Sequence, residues 1–379
     1  MKLKFKNTPE QVELIKAMGS KRPEVSREAS EAFAAFIGPV IQQVLSQADT
    51  ASAVYSDVVY DEDDNPSYPL DLFFEQRNAD NYISVVQQNI AGGLPCSQIA
   101  GANELKVATY RLDAAVSFLK KYARRGRLDV VSKAVERMAQ EVLVKQERNA
   151  WAVILKALSE GKGTASSNGA HIVNNVGSTE TFQLDTLNAI ITRMKRINKS
   201  FAGGTAAQVY SEGITDLYVS PEVKQDIRAF SYSPVGNNAN QSLPNGAKED
   251  AYRGAGLANI FGINIIDLQE LGVGQKYNTL YETFSDSAGL AGAVNEAGAS
   301  TTTAFNDGSS HEVIIGVDAS REALIRPVAR NADSGATFSA LPDDQYSQRA
   351  DKTGFYGSVE EGRVCIDARV LAGAHLKRS

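Results

Sequence analysis

Residues 128–160 read LDVVSKAVERMAQEVLVKQERNAWAVILKALSE. From Leu128 the apolar positions fall at Val131, Val135, Met138 and Val142, alternately three and four apart, which is the spacing of one helical face. A polar run, Lys145-Gln146-Glu147-Arg148-Asn149, interrupts the stripe, and Trp151, Ile154, Leu155 and Leu158 resume it. No Gly or Pro falls between residues 127 and 160. The pattern predicts one helix, roughly 50 Å long at 1.5 Å per residue. A helix well beyond the usual three or four turns is a rod-like spine rather than an ordinary core helix. The polar run is expected to mark a solvent-facing or subunit-facing gap in its burial.

Around this helix the chain is ordinary in composition. Its 379 residues are 43% hydrophobic and 22% charged, which excludes a disordered or collagen-like protein and allows two or three domains. The balance of 39 Lys+Arg against 45 Asp+Glu leaves a net charge of -6. That argues against a dedicated nucleic-acid binder, though not against a local basic face. The cysteines, Cys96 and Cys365, are too far apart for a metal pair or a disulfide framework. No apolar segment follows the basic N-terminus, so secretion is not expected. The most apolar stretch, Ala32 to Ile41, is too short to cross a bilayer.

Common catalytic signatures fail on inspection. His171, His311 and His375 form no ligand-spaced pair, and Ile315 stands where a zincin helix opening at His311-Glu312 would need its second histidine. Each lone histidine reads as surface or structural. Asp61-Glu62-Asp63-Asp64-Asn65 begins like a calcium loop, but Pro66 replaces the turn glycine and Leu72 the closing glutamate. Gly161-Lys162-Gly163-Thr164 lacks the preceding glycine of a phosphate cradle, and the run from Gly254 to Asn259 lacks the third glycine of a dinucleotide fingerprint.

Thr8-Pro9-Glu10-Gln11 is a helix start with a cap, an N1 proline and a capping-box Gln, and Gly19 a stop. A second helical pattern covers 26–47 and should bend or break at Gly38-Pro39. Residues 50–118 read as a long, often broken two-stranded excursion. A capped helix is expected over 185–199, a strand at Leu217-Tyr218-Val219, and a helix opened by Ser220-Pro221. Strands should follow at 260–267, 313–317, 323–328 and 362–369, with an exposed loop at 285–310.

The order of arm, extended loop, spine helix, compact α/β region and closing strands resembles the major capsid protein of tailed bacteriophages. The likeness rests on Glu104 to Ser117 (a strand returning from the loop), Asp129 to Leu158 (the spine), Asp216-Leu217-Tyr218-Val219-Ser220-Pro221-Glu222-Val223 (a strand–Ser–Pro–helix element) and Tyr356-Gly357 to His375 (the close). It implies an α+β fold of the Hong Kong-97 phage-type capsid class. Its parts would be an N-terminal arm (1–50), an extended β loop (51–118), a peripheral domain with the spine helix (119–178 and 319–362) and an axial domain (179–318 and 363–379). It further implies hexamers and pentamers in an icosahedral shell around double-stranded DNA, located in the virion and, during assembly, in the host cytoplasm. Partners would be portal, scaffolding and cement or decoration proteins, with DNA held non-specifically and no membrane. The family brings no catalytic residues, cofactor or metal. Some relatives cross-link through a loop lysine, but no lysine lies between Lys21 and Lys106, so no covalent cross-linking is expected. The short segment before the loop suggests an uncleaved subunit with a separate scaffolding protein.

Candidate subunit contacts follow from charge and exposed apolar pattern. Asp61, Asp63 and Asp64 make an acidic tip; Lys120, Lys121, Arg124, Arg125 and Arg127 make a basic start to the spine; a neighbour's tip is expected to meet this basic segment. Phe33, Phe36 and Ile37 could pack on another subunit or on their own domain. Rival readings are an encapsulin-like nanocompartment shell, a homo-oligomeric scaffold without a shell, and a soluble α/β enzyme whose polar candidates would be Asp216, Glu222, Asp267 and His311.

Overall fold

A computed structural model describes residues 8–47, 50–62, 64–69, 104–161, 171–174, 181–198, 213–229, 259–287, 311–320, 322–331, 336–343 and 351–378. The chain opens with α1 (Pro9–Met18), α2 (Pro23–Gln47), β1 (Ser56–Asp61) and β2 (Ser67–Pro69). Then come β3 (Glu104–Lys106), β4 (Tyr110–Leu119), α3 (Lys120–Arg124) and α4 (Leu128–Glu160). β5 (Ile172–Asn174), α5 (Leu184–Asn198), β6 (Asp216–Val219), α6 (Pro221–Ala229), β7 (Asn259–Ile260), β8 (Ile263–Asp267) and α7 (Lys276–Ser287) follow. The chain closes with β9 (His311–Val317), β10 (Leu324–Arg330), β11 (Ser339–Asp343), β12 (Lys352–Glu361), β13 (Val364–Cys365) and β14 (Leu371–Lys377). The chain divides into two compact units. Among the described residues no helix is long and apolar enough to cross a membrane.

The first unit comprises residues 1–68, 106–150 and 325–364. Its sheet is built from distant segments: β1 runs parallel to β10, Ser56 opposite Ile325, while β12 pairs antiparallel with β4 along its whole length and with β11. The period-2 pattern of β4 points Leu112, Ala114, Val116 and Phe118 to one face and leaves Arg111, Asp113, Ala115, Ser117 and Leu119 exposed on the other. The apolar face packs with Phe338, Phe355 and Val359 against the spine residues Val131, Val135, Met138 and Val142. Ile15 and Met18 of α1, and Phe33, Ala34, Ile37 and Ile41 of α2, complete this core. The helices expected to form an arm are therefore cemented into the unit. Each fully buried large aliphatic side chain contributes about 1.5–3 kcal/mol relative to exposure.

Local expectations are met unevenly here. Thr8 has the extended backbone of an N-cap, but its hydroxyl makes no capping bond. Gly19 ends α1 at φ -78, so a left-handed turn is not its purpose. A Cβ there would lie 2.6 Å from the Arg124 nitrogen, so close approach of two backbones requires the glycine. α2 is continuous through Gly38-Pro39. The Ser26 hydroxyl donates to the Met18 carbonyl at 2.7 Å, joining the start of α2 to the end of α1. The returning strand runs beyond Ser117: β4 continues to Leu119 and α3 begins at Lys120. β2 and β3 pair as a two-stranded sheet at the ends of segment 70–103. The strands expected within that segment lie outside the described residues.

The second unit comprises residues 69–105, 151–324 and 365–379. Its sheet has the order β5-β14-β9-β6-β8-β7. The predicted cap is realised: the Ser220 hydroxyl accepts the Val223 N–H at 3.1 Å and α6 starts at Pro221. Leu187, Ile190 and Met194 of α5 and Val223 and Ile227 of α6 bury against Leu217, Val219, Ile263, Ile265 and Ile314 of the sheet. The last strand is Leu371–Lys377, later than the predicted 362–369. Leu371-Ala-Gly-Ala-His-Leu lacks β-branched residues, so its propensity is poor. It is a strand because it is paired on both sides, antiparallel to β9 and parallel to β5.

The three histidines are buried in this unit. His171 Nδ1 contacts the Ala368 carbonyl at 2.9 Å, and burial, first among its causes, pulls the imidazole down to about 4. Its folded value lies below the ordinary value, so between about 6.5 and 4 the unfolded chain binds a proton the folded chain does not. Stability is therefore expected to fall as pH drops through that window. The difference amounts to about 3 kcal/mol from this group. Urea unfolding at pH 7 and pH 4.5 should show the loss, and His171→Gln should flatten it; an unchanged slope in the variant overturns the assignment.

Candidate functional site

The basic start of the spine is not one uniform patch. Lys120 is buried, and its N–H bonds the Asp351 carbonyl at 2.9 Å. Arg124 donates from Nε to the Gly19 carbonyl at 2.7 Å and from an Nη to Asp351 at 3.0 Å. It thus holds the end of α1 in place. Lys121, Arg125 and Arg127 are exposed. The side chains of Lys121 and Arg125 are thus exposed, Arg124 is tied within its own unit, and Lys120 is removed from the surface.

At the acidic tip, Asp61 and Asp64 are exposed where β1 ends in a turn, with the Asp64 N–H bonding the Asp61 carbonyl at 2.8 Å. Asp63 lies outside the described residues. Glu62 accepts from Asn331 at 3.2 Å and belongs to this unit's own contacts. Among the described residues, no ion pair joins Asp61 or Asp64 to Lys121 or Arg125 within the chain. Of the apolar candidates, Phe33 and Ile37 are core: the Phe33 ring lies 5.2 Å from that of Phe355 and Ile37 is fully buried. Phe36, 44% exposed, is the one that faces outward.

Two buried charge networks escaped sequence reasoning. In the first unit Glu361, fully buried, accepts from Arg326 at 2.8 Å, from the Tyr110 hydroxyl at 3.0 Å and from Gln146 at 3.1 Å. Arg363 lies 3.7 Å from the same carboxylate and 4.8 Å over the Tyr55 ring. Burial, then the Glu361 charge, pushes the Tyr110 hydroxyl up to about 12. Gln146 comes from the polar run of the spine and is buried, whereas Lys145 is exposed and Glu147, Arg148 and Asn149 are partly buried, so the run is anchored at one residue within a stretch of reduced burial. In the second unit Glu312 accepts from Ser220 and Arg378, both at 2.6 Å, and Arg378 reaches Asp226 at 2.7 Å. Burial raises the Glu312 carboxyl, while Arg378 and Ser220 draw it back. No spacing rule announces such clusters, because their members are far apart in sequence.

The polar residues of the enzyme reading do not converge. Asp216 accepts from Thr215 and Asn264, Asp267 pairs with Lys224 at 2.6 Å, and the His311 carbonyl accepts from Asn278. Among the described residues no group of three or more His, Cys, Asp or Glu is placed to hold a metal ion.

Residues 103–276 match the family described as phage capsid protein. The chain is similar in structure to the capsid of Ralstonia phage GP4, with 10% identity, a TM-score of 0.52, and 86% of this chain and 87% of that one covered. It is also similar, at a TM-score of 0.48 and 11% identity, to the capsid of cyanophage P-SCSP1u, covering 86% of this chain and 87% of that one. Likeness to the SrpI encapsulin of Synechococcus elongatus PCC 7942 is lower, with a TM-score of 0.36, 11% identity, and 72% of this chain and 75% of that one covered. No curated protein sequence matches the chain. The family match spans β3, the spine helix and the strand–Ser–Pro–helix element, three of the segments on which the resemblance was drawn. Residues 103–276 thus resemble a phage capsid protein, and the chain shares the α+β fold of a phage capsid.

Proposed function

We propose that this chain is the major capsid protein of a tailed double-stranded DNA bacteriophage, assembling as hexamers and pentamers into an icosahedral shell that encloses the genome. The observation that carries the reading is the capsid-family match over the spine helix. The shell is built in the host cytoplasm with portal and scaffolding proteins, carries cement or decoration proteins where they are present, and holds its DNA non-specifically. No catalysis is part of this role. The subunits are held non-covalently, since no lysine lies between Lys21 and Lys106. Expression of the full chain followed by negative-stain microscopy tests the proposal. Closed shells that dissolve to single chains on denaturing gels support it; discrete small particles overturn the shell, and a ladder of linked chains overturns the non-covalent contact. Particles that copurify with an enzyme cargo instead of DNA would favour the nanocompartment alternative.

Contacts between copies draw on the exposed charges. The Asp61/Asp64 tip of one subunit meets Lys121 and Arg125 of the next, an attraction that strengthens as water is excluded and weakens with salt. The double variant Lys121→Glu/Arg125→Glu is expected to lower shell yield about tenfold, the equivalent of roughly 1.4 kcal/mol. It should leave subunit stability within about 0.5 kcal/mol, as for other exposed substitutions. Adding Asp61→Lys and Asp64→Lys should restore assembly. Wild-type yield from the first double variant would refute the contact. Arg124 is unsuited to this test because its reversal would also loosen α1.

A further inference from the structure

The β7–β8 hairpin turns on Phe261-Gly262, whose φ values are 54 and 83. Positive φ at both central residues is the mark of a type I′ turn, where Asn-Gly or Gly-Gly fits without strain. Phenylalanine does not fit so well, because a bulky side chain in the left-handed region crowds its own backbone. The ring packs little within its own chain: it is 63% exposed, the highest value among the exposed large hydrophobics described. A Cβ built on Gly262 would meet nothing within 4 Å, so the tip projects into open space. An isolated exposed apolar residue is unremarkable. An exposed aromatic in a backbone conformation that disfavours it calls for a use, since such strain persists where function requires it.

The hairpin's chemistry selects the partner. Asn259, Ile260, Phe261, Gly262, Ile263 and Asn264 carry no charge, and the ionisable group bonded to the base is a carboxylate, Asp216, which accepts from Asn264 at 3.1 Å. A nucleic-acid contact would need cations. A neutral aromatic knob is suited to an apolar protein pocket, where a buried ring is the usual kind of anchor. In a shell every subunit is offered the surfaces of its copies, and a heterologous contact sets a protrusion of one against a different patch of the next. We propose that Phe261 is a subunit-contact anchor that inserts into an apolar pocket on a second copy of this chain. The inference rests on the capsid-shell reading.

The test uses the full chain, wild type beside Phe261→Asn and Phe261→Leu. Asparagine suits the turn and removes the ring; leucine keeps apolar bulk. Expected for Phe261→Asn are dissociated subunits that melt at or above the wild-type temperature, with shell yield down about tenfold by sedimentation and microscopy. Phe261→Leu should retain more shells than Phe261→Asn. Wild-type shell yield from Phe261→Asn overturns the anchor while leaving the shell reading intact. Insoluble or less stable Phe261→Asn subunits also overturn it, because the ring would then be supporting its own chain. Absence of shells from the wild type itself refutes the underlying reading instead.

Discussion

Glu361→Leu is expected to destabilise the first unit by about 3–5 kcal/mol, the cost of removing one partner from a buried ion cluster. Glu361 is fully buried, and it receives hydrogen bonds from Arg326, Gln146 and Tyr110. Removing the carboxylate leaves two guanidiniums, Arg326 and Arg363, at 7% and 8% exposure beside an apolar side chain. Asp57, 3.6 Å from Arg326 and itself about half exposed, compensates little. Glu361→Gln should cost less, since an amide oxygen still accepts. The triple variant Glu361→Leu/Arg326→Met/Arg363→Met should recover much of the loss, because replacing a whole buried ion cluster with apolar groups is often close to neutral. Urea unfolding of dissociated subunits followed by far-UV circular dichroism reads each value. A single Glu361→Leu loss below about 1 kcal/mol would show that the cluster relaxes toward water.

That cluster also marks where sequence reading stopped. The spine was legible because its signal is local: the stripe from Val131 to Leu158 repeats within a few residues, and the observed helix covers Leu128–Glu160. The Ser220-Pro221 start was legible for the same reason. β1 was recognised as extended, but nothing in Ser56–Asp61 names β10 as its parallel partner. Pairing across most of the chain is set by tertiary burial, which no local window contains. The same limit explains α1 and α2, which were visible as helices while the sheet beneath them was not. Composition supplied the charged interface candidates. It could not tell Lys121 and Arg125 from Arg124, because the tie from Arg124 to the Gly19 carbonyl depends on a loop closing back from residue 124 to residue 19. Phe33 and Phe36 differ in the same way: three residues apart on α2, they are 2% and 44% exposed.

In the second unit, Trp151→Ala is expected to cost about 3–5 kcal/mol, the range for truncating a large buried aromatic. Trp151 is the chain's single tryptophan and is fully buried. Its ring meets Tyr218 edge-on at 4.7 Å and lies 6.3 Å from Tyr277. Such pairs add about 0.5–1.5 kcal/mol beyond the area they bury. Tyr218 sits on β6, flanked by β9 and β8, so the ring it supports bears on the middle of the sheet. The surroundings cannot close over the loss easily, because Ile154, Leu155 and Leu158 on the same helix are already fully buried. Trp151→Phe should retain most of the stability by keeping an aromatic face toward Tyr218, with a penalty closer to 1–2 kcal/mol for the smaller ring. Circular dichroism must follow the variants that lose the indole, while fluorescence of the wild type reports this unit directly. A Trp151→Ala penalty no larger than that of Trp151→Phe would mean that the aromatic stack contributes nothing and that apolar area alone holds this end of the spine.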